Sequence, residues 1–187
     1  MPDIQKSINK KYTLKEFLQF VKDKREHYEL INGEIYMMAS PSVLHQDIAG
    51  YIYAELRNYL KGKKCRPFIA SLDVVLFKKD KLQSQNVFQP DVFVVCDPKK
   101  ISKSRIYGAP DFIVEIVSQS NSENDYFYKL NAYMKYGVKE YWIVNPEIKN
   151  ICVYINGKIK KVYNYTFSDK IKVSIFDDFS IDFKDLQ

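Results

Sequence analysis

Apolar residues in this chain recur with two different periods, and the changes between them outline the elements. Phe17, Leu18 and Val21 form a helical stripe behind Thr13-Leu14-Lys15-Glu16, whose Thr and Glu make a capping box, so a short opening helix is predicted that ends in the charged residues 23–26. Leu44, Ile48, Ile52, Leu56 and Tyr59 repeat the helical period after Ser40-Pro41-Ser42, and Gly62 supplies a stop; a long helix is predicted over 43–60. Three strands are predicted next, over 67–77, 87–96 and 111–117. The last two are nearly continuous in β-branched and aromatic residues, as strands buried on both faces are. Ser120-Asn121-Ser122-Glu123 is a second capping box, opening a helix that runs to about Tyr136 and stops at Gly137. A further strand, 140–144, closes at Asn145-Pro146.

Two Asn-Gly pairs add peripheral hairpins, since Asn-Gly supplies the positive φ angles of a type I′ turn. One joins 28–31 to 34–38 through Asn32-Gly33, and the other joins 151–155 to 158–163 through Asn156-Gly157. The fold class is therefore α/β with a mixed, α+β-type sheet. Its core order is α-β-β-β-α-β, with an N-terminal helix and hairpin before it and a C-terminal β-hairpin after it. No repeat, linker or low-complexity tract interrupts residues 1–187, which predicts a single domain.

Composition narrows the classes of partner. A net charge of +6 and a pI near 9.0 favour anionic partners, nucleic acid among them, although many basic proteins bind none. The three cysteines, Cys65, Cys96 and Cys152, are too few and too far apart for a CxxC metal site or a disulfide framework. Cys96 ends an apolar run as a buried thiol does, which fits a reducing cytoplasm. There is no N-terminal signal-like run and no apolar stretch of membrane-spanning length, so neither secretion by the standard route nor a membrane location is expected.

Three residues break the pattern in ways that invite chemistry. Asp91, in Pro90-Asp91-Val92-Phe93-Val94-Val95, heads an apolar strand; it either starts that strand as a turn residue or meets a cation that offsets the cost of burial. Glu115 lies inside Phe112-Ile113-Val114-Glu115-Ile116-Val117, where propensity and desolvation both disfavour it. It needs an ion-pair partner or a metal. Asp111 has the same strand parity but stands roughly 13 Å away along the strand, which suits a cap of the strand entry. Lys129 falls on the helix arc shared with Tyr133, Ala132 and Tyr136 and so points at the sheet; an i,i+4 pair with Asp125 is the alternative. His45 shares a helix face with Ala49, Ile52 and Leu56 and is either a core histidine or a site residue.

Pro90-Asp91 followed by Glu115 in its apolar strand resembles the signature of the PD-(D/E)XK nucleases. Val117 stands two residues after Glu115, where the signature has Lys, so Lys129 would be a migrated lysine. The chain is similar in particular to the Uma-two family of restriction-endonuclease-like proteins. The stretches that carry this are Tyr28-Glu29-Leu30-Ile31-Asn32-Gly33-Glu34-Ile35, His45, Gln89-Pro90-Asp91-Val92, residues 109–118, Asp125 with Lys129, and residues 137–144, spread from about residue 12 to residue 146.

That resemblance implies a restriction-endonuclease-like core and a metal-dependent endonuclease that hydrolyses DNA phosphodiester bonds. Asp91 and Glu115 would hold Mg²⁺ or Mn²⁺, and Lys129 would assist the attacking water. His45, Glu29, Glu34 and Asp125 are secondary candidates, though hairpin charges such as Glu29 and Glu34 are ordinarily exposed. Lys61, Lys63, Lys64 and Lys103 are the basic loop residues expected to contact DNA phosphates. Two alternatives remain: a catalytically inactive nucleic-acid-binding or regulatory module on the same fold, and a homodimer joined through aromatics such as Tyr141, Trp142, Tyr154 and Tyr163.

Overall fold

The computed structural model of the protein describes residues 10–117 and 128–186. Helix α1 (Leu14–Val21) starts at Thr13, whose Oγ1 accepts the Glu16 amide while the Glu16 carboxylate accepts the Thr13 amide, so the predicted capping box forms. The hairpin of β1 (Tyr28–Ile31) and β2 (Glu34–Met37) turns through Asn32 at φ 50° and Gly33 at φ 82°, the left-handed pair of a type I′ turn. Helix α2 (Val43–Tyr59) is capped by Ser42, whose Oγ accepts the His45 amide.

The next two predicted strands each divide. Residues 67–77 become β3 (Arg66–Ile69) and β4 (Val74–Val75), and residues 87–96 become β5 (Val87–Phe88) and β6 (Val92–Val95). At both breaks the chain passes from one sheet to another. The first break contains the cis peptide Ala70–Ser71. The second is Gln89-Pro90-Asp91, where Pro90 has no amide to give to a ladder. Apolar residues resume at once after each break, which is why periodicity alone merged the pieces. The remaining elements are β7 (Ile106–Tyr107), β8 (Phe112–Ile116), α3 (Leu130–Tyr136), β9 (Glu140–Asn145), β10 (Asn150–Ile155), β11 (Lys161–Thr166), β12 (Lys170–Lys172) and β13 (Ser180–Asp182).

The main sheet has the order β11-β10-β9-β8-β6-β3, with β8 and β9 parallel and the other neighbours antiparallel. Its members together with α2 and α3 follow the predicted order α-β-β-β-α-β. Ile48, Ile52 and Leu56 of α2 pack on one face, against Val92, Val94, Val114 and Trp142. Ala132 and Tyr133 of α3 pack on the other, against Phe93, Ile113, Tyr141 and Ile143. A second sheet, β2-β1-β5-β4-β7, adds Val74 and Phe88 to this second core and takes Leu14 and Phe17 of α1 on Leu30, Val75 and Val87. The pair β12–β13 extends the α2-side core with Ile171, Val173 and Ile181. No helix among the described residues is long and apolar enough to cross a membrane.

Two expectations are corrected. The hairpin at Asn156-Gly157 is not a two-residue turn: Ile155 pairs with Lys161, and residues 156–160 form the connection. The Asn156 side-chain amide instead donates to the carbonyls of Met134 and Val138, at 3.0 Å each, and satisfies the end of α3. Nor are all three cysteines thiols, because Cys65 and Cys96 form a disulfide while Cys152 does not. Arg66 pairs with Val95 across β3 and β6, so one further step sets the two cysteines opposite each other. Disulfides persist mainly in oxidising surroundings, so this bond removes the support that free thiols lent to a reducing compartment.

Glu140, at the start of β9, is fully buried. Its Oε1 accepts the Trp142 indole N–H at 2.7 Å and its Oε2 the Ile175 amide at 3.1 Å, tying β9 to the C-terminal segment. Burial outweighs these donors and pushes the carboxyl up to about 7. Because the folded state then holds this proton more tightly than the unfolded chain, Glu140 makes stability fall as pH rises from about 4.5 to about 7. Urea unfolding at pH 5 and pH 8 should show a loss of up to about 3 kcal/mol from this group, absent in Glu140→Gln. Equal pH dependence in parent and variant would remove Glu140 as the cause.

Candidate active site

The break at Gln89-Pro90-Asp91 and the middle of β8 meet at one end of the main sheet. Val92 pairs with Val114 across β6 and β8, so one further antiparallel step sets Asp91 opposite Glu115. Directly opposed side chains share a face, with Cβ atoms roughly 5 Å apart. By strand parity with Phe93, Ile113 and Val117, that face is the one α3 covers.

Each carboxylate is held by named donors. Asp91 Oδ2 accepts the Ile116 amide at 2.7 Å and lies 3.1 Å from His45 Nε2, at the start of α2. Glu115 Oε1 accepts the Tyr133 hydroxyl at 2.7 Å and stands 3.2 Å from Lys129 Nζ. Lys129 and Tyr133 are four residues apart, one helical turn, so both reach the same oxygen. Burial, then the charges of Glu115 and Glu29, push the Tyr133 hydroxyl well above its usual range, which keeps it a donor.

Lys129 Nζ has a second carboxylate, Glu29 Oε1 at 3.1 Å, and that oxygen also accepts the Gln89 amide at 2.7 Å. Glu29, Glu115 and Lys129 are 1%, 2% and 2% exposed. The ordinary expectation for a hairpin glutamate therefore fails at Glu29: β1 lies inside the second sheet, between β2 and β5, and its side chain faces the core. Glu34 does behave as a hairpin charge, exposed and bound to Lys11 Nζ at 2.6 Å and to the Tyr36 hydroxyl. Asp91, Glu115, Lys129, His45 and Gln89 all line one cavity of about 260 Å³, walled by residues 38–42 and by Ala70 and Ser71.

His45 is thus both core-adjacent and at the site. Asp111 caps the strand entry as expected, accepting the Cys96 amide at 2.8 Å and pairing with Lys139 at 2.7 Å. Asp125 and the capping box at 120–123 lie outside the described residues. None of Lys61, Lys63, Lys64 and Lys103 lines the cavity. The first three follow the far end of α2, whose 17 residues separate them from His45 by roughly 25 Å. Two participants were missed. Tyr133 carried a signal, since it shares the inward arc with Lys129, whereas the Gln89 backbone amide carried none in its side chain.

Among the described residues no three His, Cys, Asp or Glu side chains gather into a ready cation cage. The donor set is two opposed carboxylates beside an ammonium and an imidazole, in a cavity open to a ligand. That set can hold a hard cation that keeps most of its waters, or a polarised phosphate group.

Comparison with known proteins agrees with this architecture. A crystal structure described as a putative nuclease belonging to DUF820, from Anabaena variabilis, superposes with a TM-score of 0.74 at 21% identity, covering 93% of this chain and 96% of that one. An uncharacterised protein of Synechocystis, slr1290, is 27% identical over 176 residues, 92% of this chain and 90% of its own. Residues 14–184 match the family described as "Uma2: Putative restriction endonuclease", which takes in both sheets and every residue of the cavity, and the chain belongs to the Uma2 family.

Proposed function

We propose that this protein is a divalent-cation-dependent endonuclease that hydrolyses phosphodiester bonds in DNA. The observation that carries the reading is the register of β6 and β8, which opposes Asp91 and Glu115 on one face with Lys129 3.2 Å from Glu115. The fit to Mg²⁺ or Mn²⁺ rests on charge. Glu29 and Glu115 share the Lys129 ammonium, and Asp91, set opposite Glu115, contacts the His45 imidazole; a divalent cation at the opposed carboxylates offsets their negative charge. Mg²⁺ is commonly bound by one or two carboxylates plus waters and substrate phosphate, so two protein ligands suffice.

Asp91 and Glu115 would hold the cation, which when bound supplies positive charge at the phosphoryl group and acidifies water. Both named contacts of Asp91 fall on Oδ2, so neither stands between a cation and Oδ1. His45 orients the Asp91 carboxylate through Nε2, and the Ile116 amide fixes the same oxygen. Lys129, held by Glu29 and Glu115, presents its ammonium at the cavity wall, where it steadies negative charge developing on the phosphate or orients the attacking water. Residues 38–42 and the Ala70–Ser71 turn wall the same cavity, where a bound phosphate would meet them.

One observation favours the second reading, an inactive nucleic-acid-binding module: Lys129 is buried between two carboxylates, the geometry of a structural ion pair. The two readings predict different chemistry. Incubated with plasmid, linear and single-stranded DNA in Mg²⁺ or Mn²⁺, the parent protein should cleave at least one, and Asp91→Asn and Glu115→Gln should each lose about 10³-fold or more in rate. Cleavage by both folded variants at the parent rate would reject the site. Calorimetric Mn²⁺ binding that is present in the parent and lost in Glu115→Gln counts for the enzyme, and its absence from the parent counts for the module.

Lys129 has a separate expected effect on stability. Removing it leaves two buried carboxylates without their ammonium, so Lys129→Met should cost about 3–5 kcal/mol in urea unfolding. A change under about 1 kcal/mol would mean that the carboxylates do not depend on it.

A further inference from the structure

A second concavity lies away from the candidate active site, on the β10–β11 edge of the main sheet. It has a volume of about 650 Å³, and its lining holds Lys158, Lys161 and Lys172 and no acidic side chain. Its floor is Val153 and Ile155 of β10, and Tyr163 and Tyr165 stand along β11 with ring centroids 6.3 Å apart. Ile159 is 75% exposed beside them. Lys161, Tyr163 and Tyr165 pair with Ile155, Val153 and Ile151, so all three share the α2-side face. Because β11 ends the sheet, this face borders an open edge.

From this groove we infer that the protein carries a second nucleic-acid contact, a docking surface for single-stranded polynucleotide in which phosphates meet the three lysines and bases stack on Tyr163 and Ile159. The inference rests on the nuclease reading only for the choice of polynucleotide over other polyanions. Charge complementarity argues against a second copy of this chain, whose own net charge is +6. Aromatic rings interleaved with lysines are the usual construction of sites that track a strand by stacking, a contact a duplex cannot offer because its bases are already stacked.

The position of the groove relative to Glu115 supports a flexible ligand. Glu115 pairs with Ile143, Ile143 with Cys152, and Cys152 with Asn164, so Tyr163 and Tyr165 flank the row that holds Glu115, three strands away. That is roughly 14 Å across the sheet. Glu115 faces α3, whereas the tyrosines face the α2 side. A polynucleotide touching both places must turn around the β11 edge. Duplex DNA, stiff over about 150 base pairs, cannot make that turn, and a single strand can. The surface would thus hold one strand while a neighbouring phosphate lies in the cavity.

Fluorescence anisotropy of the whole chain in EDTA, where nothing is cleaved, tests this with a labelled 20-nucleotide thymidine strand, its RNA counterpart and a duplex of equal length. The single strands should bind at least tenfold tighter than the duplex. Tyr163→Ser and the double substitution Lys161→Gln/Lys172→Gln should each weaken single-strand binding about tenfold or more, and the lysine pair should reduce the slope of log affinity against log salt by about 1.4. All three side chains are surface positions, and circular dichroism checks that the variants fold. Unchanged binding in both variants overturns the inference, as does a preference for duplex, or a dimer on sizing that the same substitutions dissociate. Groove-dependent binding in a protein that never cleaves would sink the nuclease reading alone. Cleavage without groove-dependent binding would sink only the docking surface.

Discussion

A single buried ammonium ties together the parts of this structure that make the cavity. Lys129 stands just before α3, Glu115 lies in the main sheet, and Glu29 belongs to the second sheet, so the contacts at 3.1 and 3.2 Å join two sheets and a helix at one point. Burying three charges is costly, and such a group persists only when the remaining donors and acceptors are also satisfied. Two such partners are in place: Tyr133 gives its hydroxyl to Glu115, and the Gln89 amide gives to Glu29. The same Gln89 directs its side chain to Asp73, which binds Arg105, so the order extends outward from the core.

The crossing between sheets explains why carboxylates gather there. At Gln89-Pro90-Asp91 the chain leaves β5 and enters β6, and Pro90 interrupts the backbone ladder. Two amides near the break, of Gln89 and Ile116, find side-chain carboxylates instead of strand carbonyls. A buried amide must have a partner. The acidic residues are therefore at once structural substitutes for a ladder and a concentration of negative charge beside a cavity. Asp91, which satisfies the Ile116 amide, therefore also sets part of the charge of the cavity lining.

Much of this was legible in the sequence wherever a residue contradicted its surroundings. Glu115 in an apolar strand and Lys129 on the inward arc of a helix were visible because propensity and burial pointed the opposite way, and their pairing is what such violations require. Glu29 was not legible, because a four-residue strand beside an Asn-Gly turn looks solvent-facing until β5 is seen to cover it. The divided strands escaped for a related reason: periodicity reports burial, and the chain stays buried as it changes sheets. The Cys65–Cys96 bond depends on a register between β3 and β6 that no local pattern encodes. At Asn156 the turn signal was outweighed by a tertiary demand, the open carbonyls at the end of α3.

The place of Lys129 follows from how the main sheet is covered. Val117, two residues after Glu115, lies on the same face and is packed into the α3-side core with Ile113 and Ile143. A lysine there would have to exchange that packing for a charge. Placed one layer up, at the start of α3, the ammonium reaches the Glu115 oxygen from above, while Val117 remains part of the core. The price is that the lysine's position now depends on helix packing rather than on strand register. Tyr133 answers this, because it anchors the next turn of the helix to the same Glu115 oxygen and packs on Phe88 and Tyr141. With the charge carried at a helix start, α3 as well as β8 sets the geometry of the cavity.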